Sequence, residues 1–215
     1  MATGLTDATY RLASRQTFAL AAKRAIDIAG SALGLVLLAP VLPVVALLVR
    51  LEDGGPVIYR RRVVGRNGEF DSYKFRSMCR LADEMLGSDA RLMREFARNY
   101  KLANDPRVTR IGRLLRTSSL DELPQLVNVL LGQMSLVGPR MITRAELAKY
   151  GESGRTLLTV RPGMTGYWQT EKRQRAPYEE RVQMDMYYIR NWSLLFDLRI
   201  LLKTPWAVIK GQGAC

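Results

Sequence analysis

The feature that most constrains this chain is a run of 22 residues, Ile28 to Val49, without a single acid or base. About 20 apolar residues suffice for a helix to cross a bilayer. Two prolines interrupt the run: Pro40 and Pro43 sit near its middle. Each removes a backbone donor and crowds the preceding turn. Both flanks are basic, with Lys23 and Arg24 before the run and Arg50, Arg60, Arg61 and Arg62 after it. Positive flanks favour the cytoplasmic side, so both ends want the same face of the membrane. A helix that enters, bends at Ala39-Pro40 and returns meets both demands. Ile28 to Ala39 is 12 residues, which reach ~18 Å, about half a bilayer. A re-entrant element is therefore expected. A proline-kinked single span and a buried core helix are the competing readings. Asp27 is positioned to pair with Arg24 at the interface. The late start and the lack of a small-residue cleavage site argue against a signal peptide.

The rest of the composition narrows the chemistry. Lys and Arg outnumber Asp and Glu by 33 to 20 in 215 residues, a formal charge of +13. Such an excess implies an anionic partner: nucleic acid, anionic lipid or a phosphorylated substrate. There is no His, which excludes imidazole bases, His metal ligands and Ser-His or Cys-His nucleophile pairs. Cys79 and Cys215 are too far apart in sequence for a zinc site or a disulfide framework, and a reducing compartment follows. The 47% apolar content supplies a core. Catalysis must then rest on carboxylates, Lys, Arg, hydroxyls or a cofactor.

Three segments emerge: a polar arm over 1–22, the hydrophobic element over 23–52, and a compact cytosolic domain over 53–215. After the turn cluster Glu52-Asp53-Gly54-Gly55-Pro56, Val57-Ile58-Tyr59 reads as a strand. Gly65-Arg66-Asn67-Gly68 reads as a hairpin turn, with Phe70 to Phe75 returning. Leu81 to Leu102 reads as a helix or helix pair, ended by Asn104-Asp105-Pro106. Leu120 to Leu131 and Tyr178 to Ile189 are helical. Gly138-Pro139 and Arg161-Pro162-Gly163 mark loops. The tail, Leu194 to Lys210, is amphipathic, with Leu194, Leu198, Leu201, Pro205 and Val208 on one stripe and Arg199, Lys203, Trp206 and Lys210 on another. The expected class is α+β and membrane-associated. It comprises a mostly helical cytosolic domain with a small β-hairpin, a re-entrant membrane helix and interfacial amphipathic helices.

The densest candidate site is Arg116-Thr117-Ser118-Ser119-Leu120-Asp121-Glu122-Leu123-Pro124-Gln125. Ser119 and Glu122 have capping-box spacing, so a helix cap explains part of it. Caps and catalysis are compatible, because a helix N-terminus offers free N–H groups to a phosphate. Arg107, Arg110, Arg113 and Arg116 recur every three residues nearby. Lys74 and Arg76 lie on the returning strand, Arg140 follows Gly138-Pro139, and Arg161 precedes Pro162-Gly163. Each Arg alone is an ordinary surface charge. Together with paired acids and a membrane anchor they form a candidate site for a diphosphate at the bilayer surface. Two carboxylates are also a fitting set for Mg²⁺, which bridges phosphate oxygens.

Five motifs carry a resemblance. They are Lys74-Phe75-Arg76-Ser77-Met78, Asp105-Pro106-Arg107-Val108-Thr109-Arg110-Ile111-Gly112 and Ser119-Leu120-Asp121-Glu122-Leu123-Pro124-Gln125. Met134-Ser135-Leu136-Val137-Gly138-Pro139-Arg140 and Arg161-Pro162-Gly163-Met164-Thr165-Gly166 complete the set. In this order they resemble the bacterial sugar transferase family, the monotopic polyprenyl-phosphate phosphoglycosyl transferases, from about Lys23 to the C-terminus. The larger members carry extra N-terminal membrane helices, so the resemblance is to a small catalytic-core member on the cytoplasmic face of the bacterial inner membrane. It implies transfer of a sugar-1-phosphate from a nucleotide diphosphate sugar, with UDP the expected nucleotide, to polyprenyl (undecaprenyl) phosphate. The nucleoside monophosphate is released.

The same resemblance implies roles for individual residues. Asp121 is the nucleophile on the sugar-bearing phosphorus. Glu122 orients it, and both hold Mg²⁺. Lys74, Arg76, Arg107, Arg110, Arg116, Arg140 and Arg161 are the substrate-binding bases, and Asp185 supports the site from behind. Three departures stand out. Ala39 replaces a Ser before the proline break. Met141 replaces a second proline after Arg140. Trp168-Gln169-Thr170-Glu171-Lys172-Arg173 replaces a Gln followed by a Gly-Arg pair, with Lys172 or Arg173 as substitutes. Membrane lipids are further expected partners, and a homodimer is compatible with the sequence. The competing class is a membrane-tethered basic nucleic-acid-binding or scaffold protein. It leaves Asp121-Glu122 without a role, and no helix-turn-helix or stacking-aromatic pattern supports a nucleic-acid partner.

Overall fold

The computed structural model describes residues 3–100, 102, 104–171 and 177–209, and their side chains at 17–97, 100, 102, 104–171 and 177–208. Helix α1 (Thr3–Leu38) is followed after Ala39-Pro40 by α2 (Val41–Asp53). Strands β1 (Ile58–Gly65) and β2 (Gly68–Phe75) come next, then α3 (Ala82–Ser88), α4 (Ala90–Asn99) and α5 (Arg110–Ser118). A 3₁₀ turn at Leu120–Glu122 leads into α6 (Gln125–Leu130) and β3 (Ser135–Val137). Helices α7 (Arg144–Leu147) and α8 (Ser153–Leu157) precede β4 (Gly163–Thr165). The chain closes with α9 (Tyr167–Glu171), α10 (Tyr178–Arg190) and α11 (Leu194–Ile209).

The expected break in the hydrophobic run is present. The segment Thr17–Leu38 and α2 meet at an angle of 65° across Ala39-Pro40. Pro40 offers no N–H to continue α1, and Pro43 falls in the first turn of α2, where a missing donor is harmless. Among the described residues no single helix is long and apolar enough to cross a membrane, while this bent pair is so when taken together. From Thr3 onward, the arm and the first half of the hydrophobic element share one continuous helix.

One face of the pair belongs to the protein core. Val45 and Val49 of α2 pack with Phe75 and Leu115, and Leu120 and Ile111 adjoin them. On α1, Asp27 and Ser31 are buried. The other face is apolar and exposed, with Leu33, Val36 and Leu37 on α1 and Val44, Leu47, Leu48 and Leu51 on α2. The element is thus neither a simple core helix nor a free-standing anchor.

The root of α1 is fixed by polar contacts that differ from the expected Asp27–Arg24 pair. Asp27 accepts from the Leu136 amide at 2.9 Å and the Ser135 hydroxyl at 3.0 Å. Arg24 donates instead to the Val129 and Leu130 carbonyls, at 2.6 and 2.8 Å. It thereby caps the carbonyl end of α6, where orphan acceptors favour a cation. Gly30 lets α1 sit tightly there, since a Cβ would lie 2.7 Å from Leu136 Cδ1.

The expected hairpin is present; its first strand runs on past Tyr59 to Gly65, and the register pairs Val63 with Phe70 and Gly65 with Gly68. Gly68 adopts φ 105°, a conformation that needs glycine. The 81–102 region is a helix pair, broken at Asp89, whose carboxylate caps α4 through the Arg91 and Leu92 amides. A second sheet corrects the sequence reading. β3 and β4, placed beside segments read as loops, pair in parallel with Ser135↔Gly163 and Val137↔Thr165. Strands of three residues are too short for a period-two pattern to register.

The tail is also phased differently from the expected stripe. Asp197 and Ile200 are buried, while Leu195, Leu198, Leu202 and Trp206 are exposed. The inward turn is set by polar contacts. Asp197 accepts from Lys23 at 2.6 Å, the Tyr188 hydroxyl at 2.7 Å and Trp192 Nε1 at 3.0 Å. A stripe drawn from apolar residues alone misses an acid that points inward. Lys210 of that stripe lies outside the described residues.

Candidate active site

The acidic pair is presented by an irregular turn. Helix α5 ends at Ser119, a non-glycine residue in the left-handed region at φ 58°. The Ser119 amide bonds back to Arg116 and Leu115 carbonyls. This reversal throws the chain into the 3₁₀ turn and leaves Asp121 only 8% exposed. The capping-box expectation is not met. Ser119 makes no side-chain capping bond to the turn, and the Glu122 carboxylate accepts from Lys74 Nζ of β2 at 2.6 Å.

Arg116 reaches the same place from α5, with Nε on the Ser77 hydroxyl at 2.9 Å. The helix is held against the 77–79 segment by backbone bonds, Thr109 amide to Ser77 carbonyl and Cys79 amide to Arg107 carbonyl. Gly112 makes that approach feasible: a Cβ there would stand 2.0 Å from the Ser77 carbonyl oxygen. The end of α2 is tied in as well. Glu52 accepts the Ile111 amide at 2.9 Å, an orphan donor of the first turn of α5. Asp53 pairs with Arg76. The hydrophobic element is therefore bonded directly to the helix that delivers Asp121.

Burial pushes the Asp121 carboxyl up to about 6. Lys74 and Arg116 pull it down, and neighbouring Glu122 pushes it further up. Burial also lowers Arg116 below the usual guanidinium range. A buried acid flanked by Lys74 and Arg116 is mostly ionised at neutral pH and poorly hydrated, the state in which a carboxylate is most reactive toward an electrophile.

The other basic candidates separate into different surroundings. Arg107 is 4% exposed and forks onto Asp105 through Nε and a terminal nitrogen, at 2.8 and 2.7 Å. Burial alone would raise Asp105, but the bonds from Arg107 hold it below the usual carboxylate range. Arg76 is likewise committed to Asp53. Arg110 opens α5 and is exposed. Arg161 donates to the Gly132 carbonyl at 2.7 Å, close to Arg24 at the root of α1.

Arg140 lies in a second cluster. Its guanidinium carbon is 5.2 Å from the Trp168 ring centroid, and its amide approaches Asp185 at 3.4 Å. Asp185 is 1% exposed, accepts the Tyr150 hydroxyl at 2.8 Å, and is pushed up to about 7 by burial. Asp185 is thus an interior acid of α10, not a surface one. Met141 fills a core position beside Ser72 rather than shaping a loop as a proline would. Lys172 and Arg173 lie outside the described residues.

Sequence reasoning missed several contributors. The Asp105-x-Arg107 spacing was visible but read as a break plus a base. Glu52 and Ser77 carry no local signal, because their partners Ile111 and Arg116 lie at least 39 positions away, and Asp197 joins its neighbours Tyr188 and Trp192 to the distant Lys23. Among the described residues no group of three or more His, Cys, Asp or Glu forms a metal cluster. Asp121 and Glu122 are two oxygen-donor side chains. That set suits a hard cation that completes its shell with water and phosphate oxygens.

The turn bearing Asp121-Glu122, ringed by bases and bonded to a bent apolar helix pair, belongs to a known class. The bacterial sugar transferase family model matches residues 18–211, and the chain belongs to that family. It is 44% identical over 197 residues to the undecaprenyl-phosphate galactose phosphotransferase of Salmonella typhimurium, covering 89% of this chain and 41% of that protein. It is 42% identical over 198 residues to the exopolysaccharide production protein ExoY of Rhizobium meliloti, covering 90% and 88%. It is 41% identical over 198 residues to the UDP-glucose:undecaprenyl-phosphate glucose-1-phosphate transferase of Escherichia coli, covering 88% and 40%. The chain thus spans about two fifths of the length of two of these relatives and most of the third.

Proposed function

We propose that the protein transfers a sugar-1-phosphate from a nucleotide diphosphate sugar, with UDP as the nucleotide, to undecaprenyl phosphate. The observation that carries this reading is Asp121 itself. It is a buried carboxylate on an irregular turn, with Lys74 and Arg116 facing it. The names of the Salmonella and Escherichia relatives support both the lipid phosphate and the hexose phosphate.

In the first displacement an Asp121 carboxylate oxygen attacks the sugar-bearing phosphorus. The bond from that phosphorus to the bridging oxygen breaks, and the nucleoside monophosphate leaves with the electron pair. In the second, a phosphate oxygen of the lipid attacks the same phosphorus. The Asp121 acyl phosphate bond breaks and the carboxylate is regenerated. Dividing the transfer in this way replaces one difficult encounter with two simpler ones. Lys74 and Arg116 offset charge on the phosphoryl oxygens, which is most of what such a reaction needs. Mg²⁺, held by Asp121 and Glu122, would supply further neutralisation of phosphate charge.

The membrane reading completes the proposal. Exposing a polyprenyl chain to water costs ~0.8 kcal/mol per CH₂, so the acids must work at headgroup height. The bent pair of α1 and α2, inserted by its exposed apolar face, sets that height on the cytoplasmic side. Glu52 transmits it to α5, and Asp53 to Arg76 at the end of β2. The test is a donor screen with the full chain, undecaprenyl phosphate and a series of UDP-sugars, reading nucleoside monophosphate. Release with at least one donor, lost in Asp121→Asn, is expected. Normal turnover by Asp121→Asn overturns the assignment.

A further inference from the structure

The segment that leaves β2 governs both cations beside Asp121. Lys74 reaches the acidic turn directly, through Glu122 at 2.6 Å. Ser77, three positions on, reaches it through another side chain: its hydroxyl accepts Arg116 Nε at 2.9 Å.

Ser77 is well placed to hold an arginine still. It is 8% exposed. Its carbonyl accepts the Thr109 amide at 3.2 Å, at the start of α5. Gly112 comes so near on the same side that a Cβ would stand 2.0 Å from that carbonyl oxygen. The adjacent Arg76 is locked onto Asp53 at the end of α2. Backbone contacts on one side and an ion pair next door leave the hydroxyl little freedom. A group fixed in advance costs no reorganisation when charge develops on a phosphoryl group.

The bond also differs in kind from those of the other arginines nearby. Arg107 spends Nε and a terminal nitrogen on Asp105, and Arg76 spends both terminal nitrogens on Asp53. In each case the partner is a carboxylate that cancels the charge. Ser77 is neutral and takes one of the five N–H donors of a guanidinium. It fixes the plane without offsetting the charge, and it does not occupy the terminal nitrogens, whose planar fork matches phosphate oxygens. Burial has the largest effect on Arg116, and of the charges around it Asp121 acts most strongly.

We propose that Ser77 is a positioning residue: its hydroxyl sets the orientation of the Arg116 guanidinium, so that the terminal nitrogens meet the phosphoryl group transferred at Asp121. The identity of that phosphoryl group rests on the transferase reading; the aiming of Arg116 at a phosphate does not. Ser77 acts through Arg116.

The test is a double-mutant cycle on the full chain, with wild type, Ser77→Ala, Arg116→Met and the double variant. It is read by kcat/KM for the UDP-sugar and, separately, by calorimetric titration of inorganic pyrophosphate. Ser77→Ala is expected to lower kcat/KM about tenfold, the worth of a hydrogen bond to a charged group, and Arg116→Met about a hundredfold. The double variant is expected to match Arg116→Met, because nothing is left for Ser77 to orient. Pyrophosphate affinity is expected to follow the same pattern. Circular dichroism checks folding. Should Ser77→Ala fail to fold, Arg116→Lys decides: it keeps the charge but not the Nε donor, and is expected to be as impaired as Arg116→Met, whereas wild-type function there overturns the proposal. Wild-type kcat/KM and pyrophosphate affinity in folded Ser77→Ala, or equal losses from Ser77→Ala in both backgrounds, overturn the positioning role and leave the transferase reading intact. No nucleoside monophosphate release by the wild type with any donor overturns the transferase reading. The pyrophosphate cycle then decides on Ser77 by itself, weakened affinity in Ser77→Ala supporting the role and unchanged affinity overturning it.

Discussion

Lys74 Nζ stands 2.6 Å from Glu122 Oε1, so the strand that returns from the hairpin is ion-paired to the residue following Asp121. The pair is only partly shielded from solvent, with 19% and 30% of the two side chains exposed. Its value is therefore less in stability than in the charge it sets beside Asp121.

Removing that charge should move the pH profile. Lys74 pulls the Asp121 carboxyl down from where burial and Glu122 would put it. In the wild type, turnover should fall as pH drops through about 6, because the attacking carboxylate becomes protonated. In Lys74→Met the acidic limb should shift upward by about one pH unit. The check is kcat/KM against pH from 5 to 8.5; an unmoved limb would separate Lys74 from Asp121.

The same burial makes Asp121 a liability for stability. Its carboxyl is raised from 3.8 to about 6 in the fold. Burial disfavours the charged form, so the cost is absent below the ordinary carboxylate range, grows as pH rises, and is complete above about 6. Asp121→Asn removes the penalty of burying the charge, by roughly 3 kcal/mol at pH 7.5 from a shift of about two units. The inactive variant should melt several degrees above wild type at pH 7.5, with a smaller gap at pH 5. Thermal unfolding followed at both values tests this.

Gly112→Ala should damage the site without touching it. The added carbon would stand 2.0 Å from the Ser77 carbonyl oxygen, and backbone cannot give way cheaply. A loss of about 1–3 kcal/mol is expected from overpacking, with kcat falling as α5 and its Ser119 reversal are displaced. Tm and kcat measured together serve as the check.

The bent pair gives a topological expectation. If α1 and α2 enter and leave on one face, tags at both termini are protected from protease in sealed, right-side-out cells. Digestion of one tag alone would establish a full span.

Much of this was legible in the chain. The proline break, the hairpin turn and the acidic pair each have a local cause: a missing donor, a reversal that needs Gly68, two adjacent acids in a basic protein. What was not legible is non-local. Nothing near Arg24 says that it caps α6, and nothing near Asp197 says that it turns inward to meet Lys23 of α1. The Ser119–Glu122 spacing even pointed the wrong way. A capping box is a short-range inference, and the Lys74 ammonium arriving from β2 prevails over it. The parallel pairing of β3 and β4 escaped for the same reason: their tight approach at Gly138 and Gly163 joins residues 25 positions apart.

The account stands or falls on a covalent bond at one side chain. The full chain incubated with its UDP-sugar donor and no lipid acceptor, quenched in acid and weighed by intact mass spectrometry, measures it directly. The expected result is a mass gain equal to one sugar phosphate, mapped to the peptide holding Asp121, absent in Asp121→Asn and discharged on adding undecaprenyl phosphate. No adduct under conditions where lipid-linked product still forms, or an adduct that persists in Asp121→Asn, would contradict it.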